Sequence, residues 1–115
     1  MTKKPFVTKE QLEEIVKEYP TPFHLYDERG IRENAKALKE AFAWNKGYKE
    51  YFAVKATPNP FLIQILRDYG CGCDCSSYTE LMLSDSMGVS GEDIMFSSNA
   101  TPAEDFQLAD QLGAL

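Results

Sequence analysis

The sequence predicts an α/β fold built on a parallel sheet: four strand–helix units behind one leading helix, or about half of a closed eight-fold βα barrel. Three observations carry this. Short apolar, β-prone runs alternate with amphipathic helical segments along the whole chain. The alternation repeats every 20 to 30 residues or so, the length of one βα unit. Strands that alternate with helices form parallel sheets with right-handed crossovers. A complete barrel of this kind takes about 250 residues, and the chain has 115. The expected domain is therefore residues 1–115 as the N-terminal part of a larger barrel. A small, open, doubly wound sheet complete in itself is the rival architecture.

Each element has a local cause. Thr8-Lys9-Glu10-Gln11 is a capping-box pattern, followed by Leu12, Ile15, Val16 and Tyr19 at helical spacing. Pro20 and Pro22 stop that helix, and Phe23-His24-Leu25-Tyr26 reads as the first strand. Asp27 can cap the next helix, with Ile31, Ala35, Leu38, Ala41 and Phe42 on one face and Gly47 at its end. Tyr51-Phe52-Ala53-Val54-Lys55-Ala56 is the second strand, closed by Thr57-Pro58-Asn59-Pro60. Asn59 and Pro60 suit the N-cap and first turn of a helix through Phe61, Ile63, Leu66 and Tyr69. The run from Cys71 to Cys75 is the third strand, and Ser77-Tyr78-Thr79-Glu80 a second capping box. Ile94-Met95-Phe96-Ser97-Ser98 is the fourth strand. Thr101-Pro102-Ala103-Glu104 is a third capping box, opening a helix with Phe106, Leu108, Ala109 and Leu112 on its apolar side.

Composition narrows the function classes. Hydrophobic residues make up 43% of the chain and charged residues 26%, ordinary for a globular protein. A net charge of −6 disfavours nucleic acid and anionic membranes as partners. No apolar stretch approaches the roughly 20 residues a membrane span needs. Lys3 and Lys4 have no apolar run behind them, which argues against a secretory leader. Three crowded cysteines, Cys71, Cys73 and Cys75, are no disulfide framework, so reduced thiols and a cytoplasmic location are expected. Alternate residues of a strand lie about 6.6 Å apart, too far for neighbouring thiolates around one zinc. No metal site is expected.

The chemistry points to the end of the second strand. In a parallel βα sheet the catalytic residues gather at the rim formed by the strands' C-terminal ends. Lys55, Asp74, Ser98 and Asn99 fall there. A lysine facing a core near a rim is costly to keep as a free ammonium, and burial lowers its pKa toward a nucleophilic neutral amine. The alternative is a lysine whose head simply reaches water. Neighbouring strands lie about 4.8 Å apart, which would bring Lys55 and Asp74 into ion-pair range. Ala53 would share the face of Lys55 and leave room for a flat ring. Asp74 could instead be a turn acid, Glu80 the reciprocal member of its capping box, and Asn99 a loop residue. His24, the one histidine, sits mid-strand and is expected to be packed or exposed rather than catalytic.

In order, Thr21-Pro22-Phe23-His24-Leu25-Tyr26-Asp27, the run from Tyr51 to Pro60, and Gly72-Cys73-Asp74-Cys75-Ser76-Ser77-Tyr78-Thr79-Glu80-Leu81 resemble the N-terminal part of the pyridoxal-phosphate decarboxylases with an alanine-racemase-like barrel (fold type III). Among these the chain is most similar to the diaminopimelate decarboxylases. The resemblance runs from about Thr21 to the end and implies a fold, a cofactor and a reaction. Lys55 matches the lysine that holds pyridoxal 5′-phosphate covalently, and Ala53 a small residue beneath its ring. Asp74 and Glu80 match acids near that lysine, able to hold its ammonium once it is displaced. The implied reaction is decarboxylation of meso-diaminopimelate to lysine, with a homodimer as the working form of the whole enzyme. Thr-Pro-Asn-Pro after Lys55-Ala56 is of the decarboxylase type, where alanine racemases have an Ala-Tyr-Gly-type segment. Thr57 stands where the family usually has Asn. A ring-stacking histidine, the glycine-rich phosphate site, the acid facing the pyridine nitrogen, the substrate cysteine and a C-terminal β-domain are expected beyond Leu115. Related decarboxylases for ornithine, arginine or carboxynorspermidine, a non-catalytic pyridoxal-phosphate carrier, and a cofactor-free half-barrel remain as alternatives.

Overall fold

The computed structural model describes residues 4–115. Its elements are α1 (Lys9–Glu18), α2 (Glu28–Ala41), β1 (Tyr51–Ala53), α3 (Pro60–Asp68), β2 (Gly72–Cys75), α4 (Tyr78–Ser86), β3 (Ile94–Phe96) and α5 (Ala103–Leu112). The three strands form a parallel sheet in the order β1-β2-β3. The α/β architecture and the parallel sheet agree with expectation.

Most helix starts follow the local chemistry. Thr8 and Gln11 make the reciprocal capping box of α1. Asp27 accepts a hydrogen bond from the Gly30 N–H, and Asn59 from the Phe61 N–H ahead of Pro60. Ser77 accepts one from the Glu80 N–H. Thr101 does not cap α5. The chain stays extended through Pro102 (φ −60°, ψ 157°), which takes the N-cap position without a side-chain hydrogen bond. α2 ends at Ala41, before Gly47, where Phe42 turns back to stack on Tyr48 at 4.4 Å and 13°.

Four strands were expected and three form among the described residues. Residues 23–26 take up no regular element and make no ladder there, because pairing depends on neighbours far along the chain and not on β propensity alone. The expected second strand also stops early. The backbone leaves the sheet after Ala53 and enters a single 3₁₀ turn, Val54–Ala56. Val54 is driven into the core by this turn, and Lys55 faces solvent.

Register decides which side chains share a face. Ala53, Asp74 and Met95 stand side by side across the sheet, as do Phe52, Cys73 and Ile94. Successive strand residues point to opposite faces. The Phe52–Cys73–Ile94 face, with Cys75, packs on the helices. There Val54, Ile63, Cys73, Cys75, Leu81, Val89, Ile94 and Ala109 form the core. The Ala53–Asp74–Met95 face carries no helix among the described residues. Beyond β3, the Leu115 N–H donates to the Ile94 carbonyl at 2.9 Å, and the Leu115 carbonyl accepts from the Phe96 N–H at 2.8 Å. These are parallel-ladder bonds, so both edges of β3 are occupied. α1 buries none of its apolar residues, and Phe106, expected on the inner side of α5, is 60% exposed with its ring edge toward Phe96.

Gly72 lies where the N-terminal end of the sheet is tightest. A Cβ there would sit 2.7 Å from the Asp93 carbonyl oxygen and 2.7 Å from the Tyr51 ring. Tyr51 is itself held by a 2.7 Å hydrogen bond from its hydroxyl to the Glu92 carbonyl, and Lys49 pairs with Asp93 beside it. Neither neighbour can yield without moving backbone. Gly72→Ala is expected to destabilise by about 1–3 kcal/mol, as overpacking does. A urea midpoint equal to that of the unmodified protein would contradict it.

Candidate functional site

The C-terminal rim of the sheet is assembled by three consecutive turns. The 3₁₀ turn after β1 presents Lys55, β2 carries Asp74 one residue before its end at Cys75 and runs into the Ser76–Ser77 loop, and Ser97 follows β3. The Lys55 ammonium is exposed and donates to the Ser76 hydroxyl oxygen at 3.4 Å. Asp74 accepts a 2.5 Å hydrogen bond at Oδ1 from the Ser97 hydroxyl. Glu80 is turned to the loop. Its Oε2 accepts from the Ser76 N–H at 2.9 Å, and its Oε1 from the Ser77 hydroxyl at 3.1 Å.

The sequence-predicted residues therefore converge on one rim, but not in the expected pairs. Among the described residues Lys55 and Asp74 form no ion pair, since the 3₁₀ turn swings the amine out of the sheet's alternation while Asp74 stays in it. Lys55 is not a core-facing lysine. Ala53 stands directly opposite Asp74 in the register, on the helix-free face, as a small residue suited to lie under a planar group. Ser98 and Asn99 reach the rim without the role Ser97 takes. His24 is exposed, its ring 6.1 Å from that of Tyr26.

Ser76 and Ser97 were missed. Ser97 was recoverable, because it alternates with Met95 and so shares the face of Asp74. Ser76 carries no such signal. It follows the last strand residue and precedes a cap, where serine is ordinary.

An apolar groove lies elsewhere. It measures about 390 Å³ and runs between α2, α3 and β1, with Tyr26, Ile31, Leu38, Phe52, Leu62 and Leu66 among its walls. It lies on the helix side of the sheet and Lys55 does not line it.

Cys73 and Cys75 belong to the core and not to the rim, while Cys71 is half-buried outside it. Cys73 and Cys75 are fully buried, and the Cys75 sulfur contacts the Ser84 hydroxyl at 3.2 Å. Burial pushes the Cys75 thiol from its ordinary 9.0 up to about 11, with the Ser84 contact acting in the opposite direction. The folded state thus holds this proton more tightly than the unfolded chain. Its contribution is fully present below about pH 9 and is lost as pH rises toward about 11. The expected loss over that window is on the order of 2 kcal/mol. Urea midpoints at pH 8 and pH 11 measure it, and Cys75→Ala should flatten the slope; an equal slope in that variant would assign the effect elsewhere.

An accessible primary amine beside a small residue and a fixed carboxylate, at the carboxyl rim of a parallel α/β sheet, defines a protein able to hold a carbonyl compound covalently. The amine carries one long hydrogen bond and, among the described residues, no ion pair, and these residues fit a pyridoxal group. Residues 28–114 match the model of the pyridoxal-dependent decarboxylase family's pyridoxal-binding domain, and the chain belongs to that family. It is 47% identical over 104 residues to Protein TabA of Pseudomonas amygdali pv. tabaci, covering 90% of this chain and 24% of that protein. It is 32% identical to the diaminopimelate decarboxylase of Thermoplasma acidophilum, covering 85% of this chain and 24% of that protein. The crystal structure of Helicobacter pylori diaminopimelate decarboxylase complexed with L-lysine superposes with a TM-score of 0.79 at 32% identity, over 90% of this chain and 26% of that one. The chain thus spans about a quarter of the length of the relatives it matches. Its cofactor is a pyridoxal one.

Proposed function

We propose that this chain is the lysine-bearing part of a pyridoxal 5′-phosphate-dependent amino-acid decarboxylase, with meso-diaminopimelate as substrate and L-lysine and carbon dioxide as products. The observation that carries the proposal is the exposed amine of Lys55 at the carboxyl rim of the family's pyridoxal-binding domain. Similarity to diaminopimelate decarboxylases, one of them solved with L-lysine, supports the substrate. The helix-free face bearing Ala53, Asp74 and Met95 fits the inner wall of a (β/α)8 barrel, of which these strands would be consecutive staves. We place the whole enzyme in the cytoplasm as a homodimer.

Each residue has a task in this scheme. Bound at Lys55, the cofactor supplies the electron sink that carbon–carbon cleavage needs. Lys55 would hold the cofactor, its amine offering the covalent link. Ala53 leaves space for the ring. Asp74, fixed by the Ser97 hydroxyl, would set a carboxylate at the rim on the face of Ala53. Glu80 shapes the loop facing the amine.

A panel of amino acids given to the whole protein, with carbon dioxide release as readout, tests the substrate. Diaminopimelate should be turned over at least about tenfold faster, in kcat/KM, than lysine, ornithine or arginine. A second reading, a decarboxylase of the same family acting on another amino acid, is favoured by the higher identity to Protein TabA (47%) than to the diaminopimelate decarboxylase of Thermoplasma acidophilum (32%). A preferred substrate other than diaminopimelate in the same panel would establish it. The 115-residue chain alone, a quarter of its relatives' length, is expected to release little or no carbon dioxide.

A further inference from the structure

The rim contains two acids, and neither bonds to the amine. What touches the Lys55 ammonium is the hydroxyl of Ser76, at 3.4 Å. Ser76 is half-buried, and its own backbone is fixed by the 2.9 Å hydrogen bond from its N–H to Glu80 Oε2. The other oxygen of Glu80 is taken by the Ser77 hydroxyl, and the Glu80 N–H returns a hydrogen bond to Ser77 at 3.4 Å. Glu80 therefore sits behind the loop, with Ser76 between its carboxylate and the lysine. The loop is short and lies between β2 and the first turn of α4.

We propose that Ser76 is a positioning residue for Lys55, and that Glu80 acts on the amine only through it. An exposed lysine has four rotatable bonds, and a free amine on such a stem samples many positions. A hydroxyl on the rim, 3.4 Å from the amine, biases it toward one of them. Orientation of this kind changes the rate of bond formation without changing the groups that react. It also gives Glu80 a function that its cap alone does not: the carboxylate sets the height of Ser76 and so of the amine.

The inference rests on the function proposed above, and its test separates the two. The whole protein is prepared without cofactor and mixed with pyridoxal 5′-phosphate. Covalent capture is followed by absorbance: the neutral amine adds to the aldehyde carbon, one water leaves, and a carbon–nitrogen double bond forms. Lys55→Ala must abolish capture at this site; if it does not, the proposed function itself fails. With that control met, Ser76→Ala is expected to slow capture about three- to tenfold, and Ser76→Thr, which keeps the hydroxyl, to restore most of the rate. Glu80→Ala should slow it by a similar factor, and Glu80→Gln, whose amide oxygen can accept the same backbone hydrogen bond, by less. The Ser76→Ala/Glu80→Ala double variant should be no slower than the slower single variant, because the two act as one unit. Capture by Ser76→Ala at the unmodified rate, a double variant whose slowing is the product of the singles, or Glu80→Gln as slow as Glu80→Ala would each overturn the proposal. The glutamine variant decides the matter even if Ser76→Ala fails to fold.

Discussion

Replacing Lys55 with alanine is expected to eliminate covalent capture of pyridoxal 5′-phosphate and to lower decarboxylation by the whole protein on the order of 10⁴-fold, the scale on which loss of a covalent group falls. The reason is chemical: among the rim residues, only Lys55 offers a primary amine. Ser76 and Ser97 carry hydroxyls, while Asp74 and Glu80 carry carboxylates. None of these forms a carbon–nitrogen double bond with an aldehyde. The fold should be untouched, since the side chain is exposed and holds no ion pair among the described residues. Lys55→Arg should fail as completely, because guanidinium stays protonated and cannot add to the carbonyl. Borohydride reduction of the unmodified protein, followed by peptide mapping, should place the label on the peptide containing Lys55. A label on Lys49 or on any other lysine would end the case for this site.

Leu81→Ala is expected to have the largest effect on stability, about 2–5 kcal/mol, the range for removing a buried leucine. Leu81 is fully buried, at 0% exposure, on the inner face of α4. It belongs to the cluster that joins the helices to Cys73, Cys75 and Ile94 on the sheet. The cavity would open between α4 and β2, so the sheet would lose the support that fixes Cys75 and, one residue away on the opposite face, Asp74. Native stability is commonly only 5–15 kcal/mol or so, which makes this loss a large fraction of the whole. Chemical denaturation of the two proteins side by side measures it. A loss under about 1 kcal/mol would mean that α4 is not a principal support of the sheet.

Local chemistry was readable in the sequence and long-range geometry was not. Thr8, Asp27, Asn59 and Ser77 each cap the helix expected of them, because a cap involves only residues two or three positions away. Thr101 failed for an equally local reason: Pro102 keeps extended backbone and displaces the helix start by one residue. Residues 23–26 have the composition of a strand, yet whether a strand forms depends on what lies beside it. Lys55, Ala53 and Asp74 were singled out from their place at strand ends, and Glu80 from its capping box and a recognisable order of residues; the structure brings them near one rim. Their partners were not, because one 3₁₀ turn at Val54 rotates the lysine away from the acid that flat strand geometry would give it. Serine hydroxyls in tight loops leave no periodic trace, and two of them turn out to make the contacts at the rim.

β2 is hemmed in on both flanks, by β1 and by β3, whereas the lysine hangs from a turn that leaves the outermost strand. The acid is thus the anchored post of the rim and the amine its swinging latch. Under the proposed function, an amine that would hold a coenzyme and yield to each substrate sits on the strand with a neighbour on one side only, and the carboxylate on the strand flanked on both.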